Sequence, residues 1–172
     1  SIFKLSKKSA ERISQGHRNP QGIVMFNNET LIAAEHGPRG GDEINVIESG
    51  GDYGWPFVTH GQPYGSGDYV RPSKTGTHKG YIEPIKYWVP SIAPTELVQL
   101  PMKGWGTWGG ALVLGTLREQ VLVFMKVSEK FEVLETVQLE VGERIRDLEL
   151  LSNGSLLATT DSGKLITVKN LS

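Results

Sequence analysis

Three features of this sequence predict an all-β fold: many short apolar runs of strand length, turn residues between those runs, and little hydrophobic patterning at the helical period. The runs fall at residues 2–5, 23–26, 31–34, 44–47, 85–89, 111–114, 121–126, 131–137, 148–151, 156–159 and 165–168. Most are rich in β-branched side chains and are bounded by turn-forming residues, the pattern of strands joined by tight connections. The 21 glycines and nine prolines among 172 residues suit a chain that turns often rather than a helical one.

Composition bounds the rest. A hydrophobic content of 38% with 22% charged residues supports one core-forming domain over residues 1–172. A net charge of -1 gives no electrostatic reason to expect nucleic acid or an anionic membrane as partner. The longest apolar runs, at 111–114 and 121–125, are far too short to span a bilayer as a helix. The absence of cysteine removes disulfides and thiolate metal sites. The chain opens at Ser1 without a signal-peptide pattern, as a processed, truncated or excised product would.

A weak internal repeat sharpens the fold class. Residues 146–168 read as strand, Asn153-Gly154 turn, strand, Ser162-Gly163 turn, strand. Glycine after Asn or Ser accepts the positive φ that a two-residue hairpin turn requires. The same plan recurs at 22–47, where Asn27-Asn28 makes the turn, and at 96–125. Units of three or four strands repeating every ~40 to 50 residues point to β-propeller blades, about three in this length. Residues 49–83, rich in Gly, Pro, Tyr and His, form the longest inserted loop, and loops of that size usually carry function. A partial propeller leaves sheet edges and apolar faces open. The chain is therefore expected to be part of a larger protein, or to complete six blades as a homodimer.

The chemistry concentrates in a few motifs. Gly16-His17-Arg18-Asn19-Pro20-Gln21-Gly22 comes first, followed by Glu35-His36-Gly37-Pro38-Arg39-Gly40-Gly41-Asp42-Glu43-Ile44-Asn45. Tyr53-Gly54-Trp55-Pro56 and Gly142-Glu143-Arg144-Ile145-Arg146-Asp147 complete the set. In order and spacing these resemble the soluble aldose sugar dehydrogenases of the glucose/sorbosone dehydrogenase family, which use pyrroloquinoline quinone (PQQ). The resemblance runs across nearly the whole chain but covers only the C-terminal half of a family fold that is a six-bladed propeller.

That resemblance implies a site. PQQ carries three carboxylates, and arginine meets carboxylates with a planar, bidentate fork. Arg18 and Asn19 would contact the quinone edge, and Arg144 and Arg146 would clamp its carboxylates. Tyr64 and the segment Thr116-Leu117-Arg118 match further cofactor-lining positions, with Arg118 standing where the family often has lysine. Calcium is the implied ion, held by backbone carbonyls at Gly37 and Pro38. Asp42, Glu43 and Tyr53 resemble a second, structural calcium site.

Simpler readings stand beside these. Arg-Ile-Arg also fits a strand with one apolar face and both arginines in solvent. Arg18-Asn19 can be a plain turn before Pro20, and Gly40-Gly41-Asp42 a solvated one. His17 and His36 are not, by resemblance, the catalytic base. His60 and His78 read as surface residues of the inserted loop, and no two histidines have zinc spacing. Trp55, Trp88, Trp105 and Trp108 read as packing residues before sugar-stacking ones.

The family's proton-abstracting histidine and a PQQ-holding glutamine belong to the N-terminal half, so no catalytic residue is assigned here. The implied function is the C-terminal part of a PQQ- and calcium-dependent aldose dehydrogenase. It would oxidise a sugar at C1, pass electrons to an external acceptor, and reside in the periplasm or outside the cell. A non-catalytic half-propeller serving as a binding or assembly module is the alternative. A calcium-binding domain without cofactor is the third reading.

Overall fold

The computed structural model describes residues 1–65 and 73–169, so residues 66–72 of the expected insertion lie outside the described part. Among the described residues there is no α-helix, only a short 3₁₀ turn at Gly106–Trp108. The main body consists of three consecutive antiparallel meanders. The first contains β3 (Pro20–Phe26), β4 (Thr30–Glu35), β5 (Asp42–Val46) and β9 (Lys86–Trp88) in that order. The second contains β10 (Pro94–Gln99), β11 (Leu112–Thr116), β12 (Val121–Val127) and β13 (Val133–Glu140). The third has three strands, β14 (Ile145–Leu150), β15 (Leu156–Thr160) and β16 (Leu165–Val168). At the start of the chain, β1 (Ile2–Leu5) and β2 (Ala10–Gln15) form a hairpin that β6 (Gly51–Asp52) extends in parallel.

The turns fall where their chemistry places them. Asn27 and Asn28 adopt φ of 50° and 60° between β3 and β4. Gly154 and Gly163 each adopt φ of 81° in the two turns of the third sheet. Strand β2 was not anticipated, because Ala10–Gln15 mixes charged and apolar residues and is exposed over its first half.

Period-two alternation sorts the apolar residues into separate cores. Ile32, Ala34 and Ile44 of the first sheet meet Leu97, Leu112, Leu114, Val123 and Met125 of the second. The opposite face of the second sheet, through Val113, Leu122 and Phe124, packs on Ile145, Leu148, Leu156 and Ala158 of the third. Trp105 closes this second core, with its Nε1 donating to Gly154 O at 2.9 Å. A third, smaller core joins Ala33, Ile47 and Tyr53 to Ile2 and Ile13. All five residues of β11 are buried because both faces of its sheet are covered, which explains its unbroken apolar run.

The first strands of the three meanders lie side by side, with β10 packed against β3, β4 and β14. Gly22 permits this approach: a Cβ there would stand 2.6 Å from Leu97 N and from Thr95 O. Strands β3, β10 and β14 therefore begin at one end of the molecule, and β4 and β11, running antiparallel to their neighbours, finish there. This propeller-like arrangement gathers the candidate residues.

The inserted segment is more structured than a loop reading implies. Besides β6 it carries β7 (Val58–Thr59) and β8 (Lys74–Thr75), paired in parallel. Arg39 and Gln62 exchange backbone hydrogen bonds of 3.0 and 3.1 Å, which fastens the segment to the β4–β5 connection.

Two outer surfaces stay open among the described residues: Leu165 on β16 is 71% exposed, and Leu5 on β1 is 76% exposed. Leu114→Ala, in the fully buried interface between the first two sheets, is expected to cost about 2–5 kcal/mol in denaturant unfolding. Leu165→Ala should stay within about 0.5 kcal/mol of the parent.

Candidate functional site

One end of the three meanders carries a connected set of polar groups. Arg18 and Asn19 precede β3, while His36 and Gly37 follow β4. His36 N–H donates to Asn19 O at 3.0 Å, and Arg18 Nη1 donates to His36 O at 3.2 Å. The His36 ring then reaches the second meander, with Nε2 2.5 Å from Pro94 O. Pro94 pairs with Thr116 in the sheet register, and the Leu117 and Arg118 N–H groups donate to Ala93 O and Ile92 O. From there the connection passes to the third meander, where Arg144 Nη1 donates to Leu117 O at 3.3 Å. Arg144 Nε donates to Asp161 Oδ2 at 2.6 Å, and Arg146 Nε donates to Asp161 Oδ1. The predicted cofactor residues thus come together from all three meanders.

Their local settings differ. Arg144, Arg146 and Arg118 are about half exposed, and Arg118 makes a 3.8 Å ion pair with Glu119. The Arg-Ile-Arg pattern therefore does both things read from the sequence: Ile145 is buried in the core and the arginines face outward. They are not simply solvated, because both hold Asp161. Two guanidinium groups on one carboxylate leave one positive charge uncompensated. Hydrogen bonds from the two arginines, Arg146 before Arg144, hold the Asp161 carboxyl below the usual aspartate range.

Arg18 lies over the Trp55 ring, 5.4 Å from its centroid. The Arg18 Nε is buried with no hydrogen-bond partner among the described residues. Asn19 is exposed, its Oδ1 accepting from Gln21 Nε2 at 3.0 Å. Tyr64 donates its hydroxyl to Pro38 O at 2.7 Å, so this residue of the insertion stands beside the Gly37-Pro38 turn.

Two of the expected cofactor positions are buried. Thr116 is fully buried, and its hydroxyl is spent on the backbone of Val121, donating to the carbonyl at 2.8 Å and accepting from the N–H at 3.0 Å. Leu117 is likewise buried. These residues shape the connection that holds Arg144 rather than offering side chains to a ligand.

The expected metal residues also divide. Gly37 and Pro38 are buried in a crowded turn: a Cβ on Gly37 would stand 2.2 Å from Gly40 O and 2.3 Å from Gly41 O. Only glycine lets these backbone oxygens approach so closely. Asp42, by contrast, is committed to the fold. Its Oδ2 accepts from the Ser91 hydroxyl at 2.6 Å and from the Ile92 and Ala93 N–H groups at 2.8 Å, and its Oδ1 accepts from Gly37 N–H at 3.1 Å.

Glu43 and Tyr53 line one small cavity of about 10 Å³ together with Arg18, Glu35, Gly37 and His78. This is room for about one water-sized sphere. The Tyr53 hydroxyl is already used, donating to Val46 O at 2.5 Å and accepting from Glu48 N–H at 2.8 Å. Glu43 Oε1 lies 2.8 Å from His78 Nε2, an ion-pair distance without hydrogen-bond alignment, while Oε2 accepts from Asn45 Nδ2 at 3.2 Å.

The reading of His60 and His78 as surface residues does not hold. His78 is almost fully buried, and His60 stacks between it and Tyr87 at centroid separations of 4.7 and 3.9 Å. Burial pushes the His78 imidazole down, but the Glu43 carboxylate 2.8 Å away more than offsets this, so its pKa lies above the ordinary histidine value. Trp105 and Trp108 pack on Phe124 as expected, whereas Trp55 supports Arg18. Asp161 escaped the sequence reading and Glu35, though part of one of the motifs, was given no role, since an acidic residue next to a turn or at a strand end carries no signal for its partners.

The sequence matches the family model for Glucose / Sorbosone dehydrogenase over residues 3–167. The chain belongs to this family. It is similar to the aldose sugar dehydrogenase YliI of Escherichia coli (strain K12), 36% identical over 171 residues, covering 97% of this chain and 46% of that protein. Among solved structures it resembles the apo-form of the soluble aldose sugar dehydrogenase from Escherichia coli, with a TM-score of 0.81 at 32% identity, covering 95% of this chain and 49% of that one. A PQQ-bound aldose sugar dehydrogenase from Streptomyces coelicolor shares the fold, with a TM-score of 0.68 at 21% identity over 93% of this chain and 46% of that one. The chain thus spans about half the length of the relatives it matches.

A depressed folded-state pKa contributes stability above the unfolded value and loses it as pH falls through the folded one. An NMR titration of Asp161 should therefore show its midpoint below the ordinary aspartate value of 3.8. In Arg146→Ala the midpoint should rise toward that value.

Proposed function

We propose that this glucose/sorbosone dehydrogenase chain is the C-terminal part of a PQQ- and calcium-dependent aldose dehydrogenase, contributing the cationic wall of the cofactor site. The convergence of Arg18, Arg144 and Arg146 on one end of three meanders carries this reading. Arg144 and Arg146 present one positive charge beyond what Asp161 neutralises, and Arg18 keeps a buried donor with no partner among the described residues, so the donor set fits an anionic, multi-carboxylate ligand. Among the described residues no three His, Asp or Glu side chains gather with metal-ligand spacing. A calcium ion here must therefore draw largely on backbone carbonyls, such as those of the Gly37-Pro38 turn. When bound, the quinone supplies a two-electron acceptor for hydride from the sugar C1, with calcium polarising the receiving carbonyl.

The residues of this chain bind and orient rather than abstract a proton. Arg144 and Arg146 fix the carboxylates, and Tyr64 steadies the Pro38 carbonyl while closing one side. Asn19 and Arg118 offer exposed polar groups at the same end. The proton-accepting histidine belongs to the remainder of the protein, as do contacts for the aldose and an external electron acceptor. A periplasmic or secreted location accompanies this family reading. Glu43 and Tyr53 fit a second calcium less well, because His78 already compensates the Glu43 charge and the Tyr53 hydroxyl is spent.

A second reading rests on the open surfaces at β1 and β16. With Leu5 and Leu165 exposed there, a half-propeller of about three blades can bury both by joining a second copy into six. A mass in solution equal to two chains favours this reading, and a stable monomer excludes it.

The cofactor reading is tested by titrating PQQ in the presence of calcium, followed by absorbance or calorimetry. Arg146→Ala should weaken binding about tenfold, as expected for loss of a charge-assisted bidentate contact. Binding unaffected by that change removes the arginine clamp.

A further inference from the structure

The end of β4 holds a buried polar assembly that the proposed cofactor contacts leave unexplained. Glu35 is only 3% exposed, and its carboxylate accepts three hydrogen bonds. Oε1 accepts from His17 Nδ1 at 2.8 Å and from Asn45 Nδ2 at 2.9 Å, while Oε2 accepts from the backbone N–H of Arg18 at 2.8 Å. His17 is gripped again at its other nitrogen, with Nε2 2.8 Å from Ser14 Oγ, and its ring stacks on Tyr53 at 4.4 Å and 25°. Ser14, His17, Tyr53 and Asn45 are all buried, so the Ser-His-Glu sequence of contacts has no access to substrate and is no nucleophilic triad.

What this assembly does hold is the turn carrying Arg18. Glu35 fixes the residue before it, through the His17 ring, and Arg18 itself, through its backbone N–H. One position further on, His36 takes both the Asn19 carbonyl and Arg18 Nη1. Trp55 supports the guanidinium plane. The group left over is Arg18 Nε, buried and without a partner among the described residues. An unpaired buried donor is costly and persists only where its surroundings over-determine its position.

We infer that Glu35, backed by His17 and Asn45, is the positioning residue that presents the Arg18 guanidinium to an anionic ligand. The inference rests on the PQQ reading given above. Only a carboxylate suits the role. Glutamine has one acceptor oxygen and an NH₂ group, so its amide must turn a donor toward either the Arg18 N–H or the His17 and Asn45 donors.

A double-mutant cycle tests this, with PQQ plus calcium as the probe and the four proteins parent, Glu35→Gln, Arg18→Ala and the double variant. Glu35→Gln should weaken binding about tenfold by itself and change little once Arg18 is alanine, because residues acting through one another are not additive. In an Arg146→Ala background the same tenfold factor should persist. An equal loss with and without Arg18, or no loss at all, overturns the inference.

A second readout needs no cofactor. In the ¹⁵N NMR spectrum of the unliganded protein, Glu35→Gln should move the Arg18 Nε–H signal and leave those of Arg144 and Arg146 in place. If Glu35→Gln folds poorly, His17→Gln removes one of the three donors and should shift the same signal less. An Arg18 signal indifferent to both changes also refutes the role. Failure of the parent to bind PQQ would count against the cofactor reading, and the NMR comparison would still decide this one.

Discussion

The close packing of β10 between β3 and β14 is the constraint on which the rest of the structure depends. It requires Gly22, because any side chain there would collide with the backbone of β10. It also requires a second sheet that is apolar on both faces, with Leu112 and Leu114 serving one core and Val113 and Leu122 the other. Once the first strands lie side by side, their starting ends coincide in space. Residues over a hundred positions apart in sequence, such as Arg18 and Arg146, then share one end of the molecule.

Function builds on that coincidence through short polar links rather than through a pocket cut into the core. His36 joins the first meander to the second at Pro94, and Arg144 joins the third to the second at Leu117. Carboxylates at two points set the arginine geometry: Glu35 from beneath the Arg18 turn and Asp161 between Arg144 and Arg146. The first is buried and fully engaged. The second is more open and outnumbered by its partners, so positive charge remains at this end of the molecule. Asp42 performs a parallel task for the fold, tying the Gly37 turn to the 91–93 segment.

Much of this was legible in the sequence, for identifiable reasons. Strands such as 121–126 and 165–168 announce themselves by β-branched residues between turn signals, and Asn27-Asn28 and Asn153-Gly154 mark hairpins because few residues tolerate positive φ. The arginine motifs were legible through their order and spacing. Other features were not. Strand β2 shows little apolar alternation because its first three residues are exposed, and Ile13 and Ser14 reach the interior. The burial of His78 depends on Glu43 and on stacking with His60, partners far away in sequence. Thr116 sits in a motif that points to the cofactor, yet its hydroxyl closes the turn to Val121, a local competition that residue type alone does not reveal.

The central claim is that Arg18, Arg144 and Arg146 form one anion-binding wall. Arginine modification by phenylglyoxal, mapped by mass spectrometry with and without PQQ plus calcium, tests it most directly. The account predicts that PQQ protects all three arginines over one concentration range, while Arg12, on the exposed first half of β2, reacts as before. Protection of one arginine alone, or equal protection of Arg12, would contradict it.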